Sequence, residues 1–215
     1  MKMIKITSII LALFLFNGCA QKNVKEVYNK PAMYWYGGIV KKIKEANLEE
    51  ADNLYTSLSS EHVASPLLPE AMMMLAQAHM QEEEYLLANF YLDEYIKRFG
   101  TQKKSEYARY MKIKANFESF PNPNRNQQLL LDTIVQTKEF VVQYPKSEYR
   151  PLVETMLVKL ELGEYFLTKN IADLYTRIDK PKAAKIYQDQ FNNSIVKNAK
   201  MIKPNIPWYR SWFEE

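Results

Sequence analysis

The chain predicts an all-α fold, about four αα-hairpins stacked into a superhelix. Three observations lead there. Five glycines and ten prolines stand among 215 residues otherwise rich in Leu, Ala, Lys, Glu, Met and Tyr, a composition that supports helices and interrupts them rarely. No run of strict apolar/polar alternation is long enough for a strand. Between Pro69 and Gly100 the apolar residues fall at helical spacing twice, with a polar break between.

That stretch is the clearest repeat. Leu68, Ala71, Met72, Leu75, Ala76 and His79 share one helix face, and Tyr85, Ala88, Leu92, Tyr95, Ile96 and Phe99 share a second. Gln81 to Glu84 makes the turn, and Gly100 suits a C′ position. The hairpin is about 34 residues long, the tetratricopeptide length. Ala76 and Ala88, twelve apart, are small where the two helices must approach most closely.

In chain order, residues 1–18 read as a signal peptide: Lys2 and Lys5, then an apolar core from Ile9 to Phe16 too short to span a bilayer. Cys19, the only cysteine, sits where cleavage would occur. Gly18-Cys19 resembles a bacterial lipobox, with Phe16 and Asn17 in place of its usual Leu and small residue. An ordinary secretory signal with a chance cysteine or buried thiol is the alternative. A lone cysteine in an exported protein has no disulfide partner, which favours lipidation at Cys19. Acyl chains there would anchor the chain to a membrane. Ala20 in place of an aspartate resembles the pattern of lipoproteins carried to the outer membrane. Residues 19–31 form a polar linker, and the repeat domain covers 32–200. Without residues 1–18 the charge balance is 27 Lys+Arg against 25 Asp+Glu, which excludes a nucleic-acid surface.

The first repeat spans Ala32 to Val63, with Trp35, Ile39, Val40 and Ile43 on one helix, a turn at Asn47–Glu50, and Ala51, Leu54, Tyr55 and Leu58 on the next. Ser65-Pro66 and Pro69-Glu70 open the second repeat with helix-start chemistry. In the third, Ser105-Glu106 caps a helix carrying Ala108, Met111, Ile113, Ala115 and Phe117, and Pro121-Asn122-Pro123-Asn124 stops it. Gln127 to Tyr144 follows, with Leu130, Leu131, Ile134, Val135, Phe140, Val141 and Val142. The long connection makes this hairpin irregular. The fourth opens at Pro151 with a helix of nearly 28 residues, through Leu152, Val153, Met156, Leu157, Leu160, Phe166, Leu167, Ile171, Leu174, Tyr175 and Ile178. A last helix runs from Pro181 to about Lys200. Ala172 and Ala184 stand 96 residues after Ala76 and Ala88, and Tyr175 corresponds to His79. Residues 201–215 form an aromatic tail around Trp208-Tyr209-Arg210-Ser211-Trp212-Phe213, which packs on the last helix or contacts a partner.

No constellation nominates catalysis, a metal or a cofactor. HExxH, paired Cys-x-x-Cys, Gly-x-Ser-x-Gly and phosphate-cradling glycine loops are missing. Of the two histidines, His79 reads as a packed or groove residue and His62 falls in an inter-repeat turn. Glu82-Glu83-Glu84 reads as a solvated turn, and Met72-Met73-Met74 as soft core filler. Stacked hairpins form an extended concave surface. Tyr34, Tyr36, His62, Met73, His79 and Met80 are its candidate partner-binding residues, with core packing competing for each.

Several segments together resemble one family. They are Gly18-Cys19, Leu87-Ala88 through Tyr95-Ile96-Lys97-Arg98, Glu106-Tyr107-Ala108-Arg109-Tyr110-Met111, Tyr144-Pro145-Lys146-Ser147-Glu148-Tyr149, Leu157-Val158-Lys159-Leu160, Glu164-Tyr165 and Asp173-Leu174-Tyr175-Thr176. Over residues 19–195 the chain is similar to the BamD (YfiO, ComL) family of outer-membrane protein assembly lipoproteins. The resemblance implies a non-enzymatic, lipid-anchored scaffold of the β-barrel assembly (BAM) complex, on the periplasmic face of the outer membrane. Its implied partners are a BamA-like barrel protein, other assembly-complex lipoproteins and unfolded outer-membrane proteins awaiting insertion. The family's substrate-linked aromatic-Pro-Phe-Gly turn is replaced here by Glu61-His62-Val63-Ala64-Ser65-Pro66. Another envelope tetratricopeptide lipoprotein, coordinating cell-wall synthesis or division, is the alternative function.

Overall fold

A computed structural model describes residues 28–119 and 126–198. The signal peptide, Cys19, the Pro121–Asn124 stop and the aromatic tail lie outside these described residues. Among them are eight helices and no strand. They are α1 (Ala32–Lys44), α2 (Leu48–Glu61), α3 (Leu67–Gln81), α4 (Tyr85–Phe99), α5 (Gln102–Glu118), α6 (Gln127–Gln143), α7 (Arg150–Arg177) and α8 (Pro181–Asn192). The pairs α1/α2, α3/α4 and α7/α8 pack as tight antiparallel hairpins. In the third hairpin α5 packs more against α4, and α6 more against α7, than the two do against each other. The irregular third repeat expected from its connection is thus present. The 28-residue α7 is continuous through Gly163, as the sequence suggested.

One turn closes the three regular hairpins. Ala46, Glu83 and Asp179 each adopt a left-handed φ, of 53°, 61° and 54°. The residue after each donates its backbone N–H to the carbonyl five positions back: Asn47 to Lys42 at 3.0 Å, Glu84 to His79 at 2.8 Å and Lys180 to Tyr175 at 2.9 Å. This is a Schellman closure made without glycine. It satisfies end carbonyls that would otherwise lack partners. In the first hairpin the turn is therefore Glu45–Asn47, earlier than the expected Asn47–Glu50. Asn47 serves as N-cap of α2, its side chain accepting from Glu50 N at 3.2 Å.

Gly100, by contrast, is not left-handed. Its φ is −70°, and its need for glycine comes from crowding, because a Cβ there would overlap the Ile96 carbonyl and the Ser105 hydroxyl. Ser105 lies buried within α5, which begins three residues earlier than the expected Ser105-Glu106 cap.

The main core joins the first two hairpins to α5. Trp35, Ile39, Leu58, Leu68, Met72, Leu75 and Leu92 are its large buried members. Ala76 and Ala88 are completely buried, and so is Ala172, with Ala184 nearly so. Small residues thus lie inside both the second and the fourth hairpin, as expected. Two smaller clusters follow, one around Ile113, Phe140, Tyr144 and Val153 and one around Leu130, Ile134 and Leu160. An amide ladder ties α4 through α5 to α6: Asn89 Nδ2 donates to Asn116 Oδ1 at 2.7 Å, and Asn116 Nδ2 to Gln136 Oε1 at 3.1 Å.

Several apolar residues assigned to the inner faces are exposed instead. These are Leu131, Val135 and Val142 on α6, Leu152, Phe166 and Leu174 on α7, and Ile178 just after it. On α6 the three lie on one stripe, turned away from the buried Leu130, Ile134, Thr137 and Phe140. Thr133 and Thr137 are buried on α6. Each donates its hydroxyl to the carbonyl four residues back, which satisfies it internally.

Candidate functional site

Two arrangements stand out, one that locks the first two hairpins and one that is open to a partner. The lock centres on His79. Its ring is 1% exposed and lies between two carboxylates, Nδ1 at 2.6 Å from Glu84 Oε2 and Nε2 at 3.0 Å from Asp52 Oδ1. Tyr91 donates its hydroxyl to the same Asp52 oxygen at 2.6 Å and stacks its ring on the imidazole. Tyr55 then meets Tyr91 edge to face at 5.1 Å. Burial opposes a charge on His79, yet its hydrogen bonds to Asp52 and Glu84 outweigh it and raise its pKa above the ordinary value. When doubly protonated, the ring donates to both acids at once. Burial, with Asp52 as acceptor, pushes the Tyr91 phenol far up, so it stays a neutral donor.

The open arrangement runs over the first helices of successive hairpins. Tyr36 of α1 donates its hydroxyl to Met74 Sδ of α3 at 3.8 Å. Three residues on, one helical step along the same face, Gln77 donates its amide to the Tyr107 hydroxyl of α5 at 3.0 Å. Tyr107 lies 5.5 Å from Tyr149, at the start of α7, and Tyr110 stacks on Tyr149 at 4.6 Å. A hydrogen bond with Glu148, then burial, raises the Tyr149 pKa, so this phenol stays neutral. Between α3 and α5 the strip opens into a groove of about 560 Å³, edged by the Lys114–Glu118 ion pair.

This surface suits an extended polypeptide. Tyrosine offers a rigid apolar face and a hydroxyl at little entropic cost. Gln77 and Gln81 add amide donors and acceptors for a peptide backbone. Among the described residues no three His, Cys, Asp or Glu side chains converge as a metal site, and no helix is long and apolar enough to cross a membrane.

The six residues expected to touch partners separate into groups. His79 and Met80 are buried; His79 is the packed residue of the lock, and Met80 is covered in the main core at the base of the groove. Tyr36 and Met73 are half-buried against that core. Tyr34 is exposed and makes an edge contact with the buried Trp35. His62 is the C-cap of α2, its backbone N–H bonded to Leu58 O at 3.0 Å. Sequence reasoning missed Gln77, Tyr107, Tyr110 and Tyr149 as site residues. The pair Tyr107/Tyr110, three apart on a first helix, was the signal that could have found them.

Comparison with known proteins agrees with this architecture. Residues 28–191 match the model of the YfiO family, described as outer membrane lipoprotein. The chain is 46% identical over 193 residues to the outer membrane protein assembly factor BamD of Helicobacter pylori, covering 89% of this chain and 88% of that protein. It is 26% identical over 135 residues to the protein of the same name in Caulobacter vibrioides, covering 61% of this chain and 44% of that one.

Proposed function

Because the chain belongs to the YfiO family of outer membrane lipoproteins, we propose that it is an outer-membrane protein assembly factor of the BAM complex. In this reading it is a scaffold and not an enzyme. Cys19 carries the lipid that holds it on the periplasmic face of the outer membrane. The array binds a BamA-like barrel protein and the other assembly lipoproteins. The first-helix strip from Tyr36 to Tyr149 receives unfolded barrel chains before insertion.

The observation that carries the reading is the 46% identity to an assembly factor over nearly the whole of both chains. The groove supplies the physical means. Assembly without a nucleotide must run on binding differences, and a shallow aromatic surface holds an extended chain and then releases it as the chain folds. The test is isolation of the lipidated protein from detergent-solubilised outer membranes. A BamA-like barrel protein is expected in stoichiometric amounts; a preparation free of any such protein contradicts the proposal.

A further inference from the structure

The last two hairpins enclose a second groove, distinct from the first-helix strip. It measures about 550 Å³ and lies between α6 and the α7/α8 pair. Tyr165, Ile171, Tyr187 and Phe191 form its apolar wall, with Leu131 facing them from α6. Tyr165 and Phe191 meet edge to face at 6.0 Å. Lys138 and Glu161 neutralise each other on the lining at 2.9 Å, while Glu164 has no ion-pair partner among the described residues. Ser194 and Ile195 also line the groove, so the chain departs towards residue 199 from the groove's own wall.

The C-terminal residues complement this surface in chemistry. Ten residues past Asn198 comes Trp208-Tyr209-Arg210-Ser211-Trp212-Phe213. Ten residues reach up to about 33 Å, enough to turn back across a hairpin. Pro204 and Pro207 disfavour a helical approach. In an extended segment residues 208, 210 and 212 share one face, which places two indoles either side of a guanidinium. Repeat arrays need their last apolar face covered.

We propose that the segment Trp208–Phe213 docks in cis into the α6–α7–α8 groove, its two indoles against the aromatic wall and Arg210 on Glu164. The docked tail then covers the apolar wall between α6 and the α7/α8 pair. Such docking does not depend on the assembly role.

The test is a photo-cross-linker, p-benzoylphenylalanine, placed at Phe191 in the full chain in membranes. Leu131, on the opposite wall, provides a second position in case the first disturbs α8. The expected product joins the labelled residue to a peptide containing residues 208–213 of the same chain. Trp208→Ala with Trp212→Ala abolishes that product. Glu164→Lys lowers its yield about three-fold, the scale of a partly exposed ion pair, and adding Arg210→Glu restores it. A cross-link into a second copy or another protein overturns the proposal. So does a folded protein, with its helical circular dichroism intact, that gives no product with residues 208–213.

Discussion

His79 and Tyr91 lie ring over ring, centroids 5.6 Å apart and planes 12° from parallel, and 96 residues later Tyr175 and Tyr187 repeat the stack at 5.6 Å and 16°. The second and fourth hairpins thus share their buried alanines, their turn and their aromatic stack. One difference bears on stability. Only His79 adds an ionic tie, reaching Asp52 on α2 and so fastening the second hairpin to the first.

That tie makes stability depend on pH. The folded pKa of His79 is raised above its unfolded value of about 6.5. The folded state therefore binds the proton more tightly. The contribution is fully present below about pH 6.5 and declines as pH rises through the folded value. The urea midpoint is expected to fall from pH 6 towards pH 9. His79→Gln should remove most of that slope and cost about 1–3 kcal/mol at pH 6, from carboxylates left without their donor.

The buried alanines predict a packing cost at two equivalent positions. Ala88→Leu should destabilise by about 1–3 kcal/mol, because the core around it has no room for the added carbons. Ala184→Leu should act the same way, but by less, since α8 lies at the more open end of the array. Denaturant titration of both variants measures the difference.

Glycine placement predicts effects of opposite sign. Gly100→Ala should destabilise by about 1–3 kcal/mol, since the new Cβ meets backbone that cannot yield. Glu83→Gly should stabilise by about 1 kcal/mol, because Glu83 holds a left-handed φ of 61° with a side chain in place. Thermal melts of the two variants would show the melting temperature moving down and up respectively.

The first-helix strip predicts a loss of binding without loss of fold. Tyr107→Ala removes the hydroxyl that Gln77 reaches and one ring of the Tyr107–Tyr149 contact. Binding of an unfolded barrel-protein peptide should weaken about ten-fold, the scale of an aromatic hot spot. The melting temperature should move far less than in Ala88→Leu. Fluorescence anisotropy of the labelled peptide checks the affinity.

Much of the fold was legible because helical spacing is a local signal. Ala76/Ala88 and Ala172/Ala184 fixed the repeat register from residue size alone, and the absence of a strong breaker before Asp179 revealed the long α7. Other features depend on distant partners. The acids that hold His79 lie 27 residues before it and five after it, a pairing that no local pattern encodes. Thr133 and Thr137 look like surface residues, and only their bonds to the preceding turn let them be buried. Val142 is expected among the inward residues of α6 yet is 80% exposed, because with Leu131 and Val135 it falls on the stripe turned away from Leu130, Ile134 and Thr137. The site was harder still. Tyr107 and Tyr110 belong to α5, yet their role appears only when Gln77 of α3 and Tyr149 of α7 come beside them.

Whether this chain assembles outer-membrane barrels is tested most directly by depleting it in its own cells and quantifying folded barrel proteins in the outer membrane. Folded barrels are expected to fall while unfolded barrel chains accumulate in the periplasm. Normal barrel levels after depletion, with a defect confined to the cell wall or to division, would contradict the assembly role.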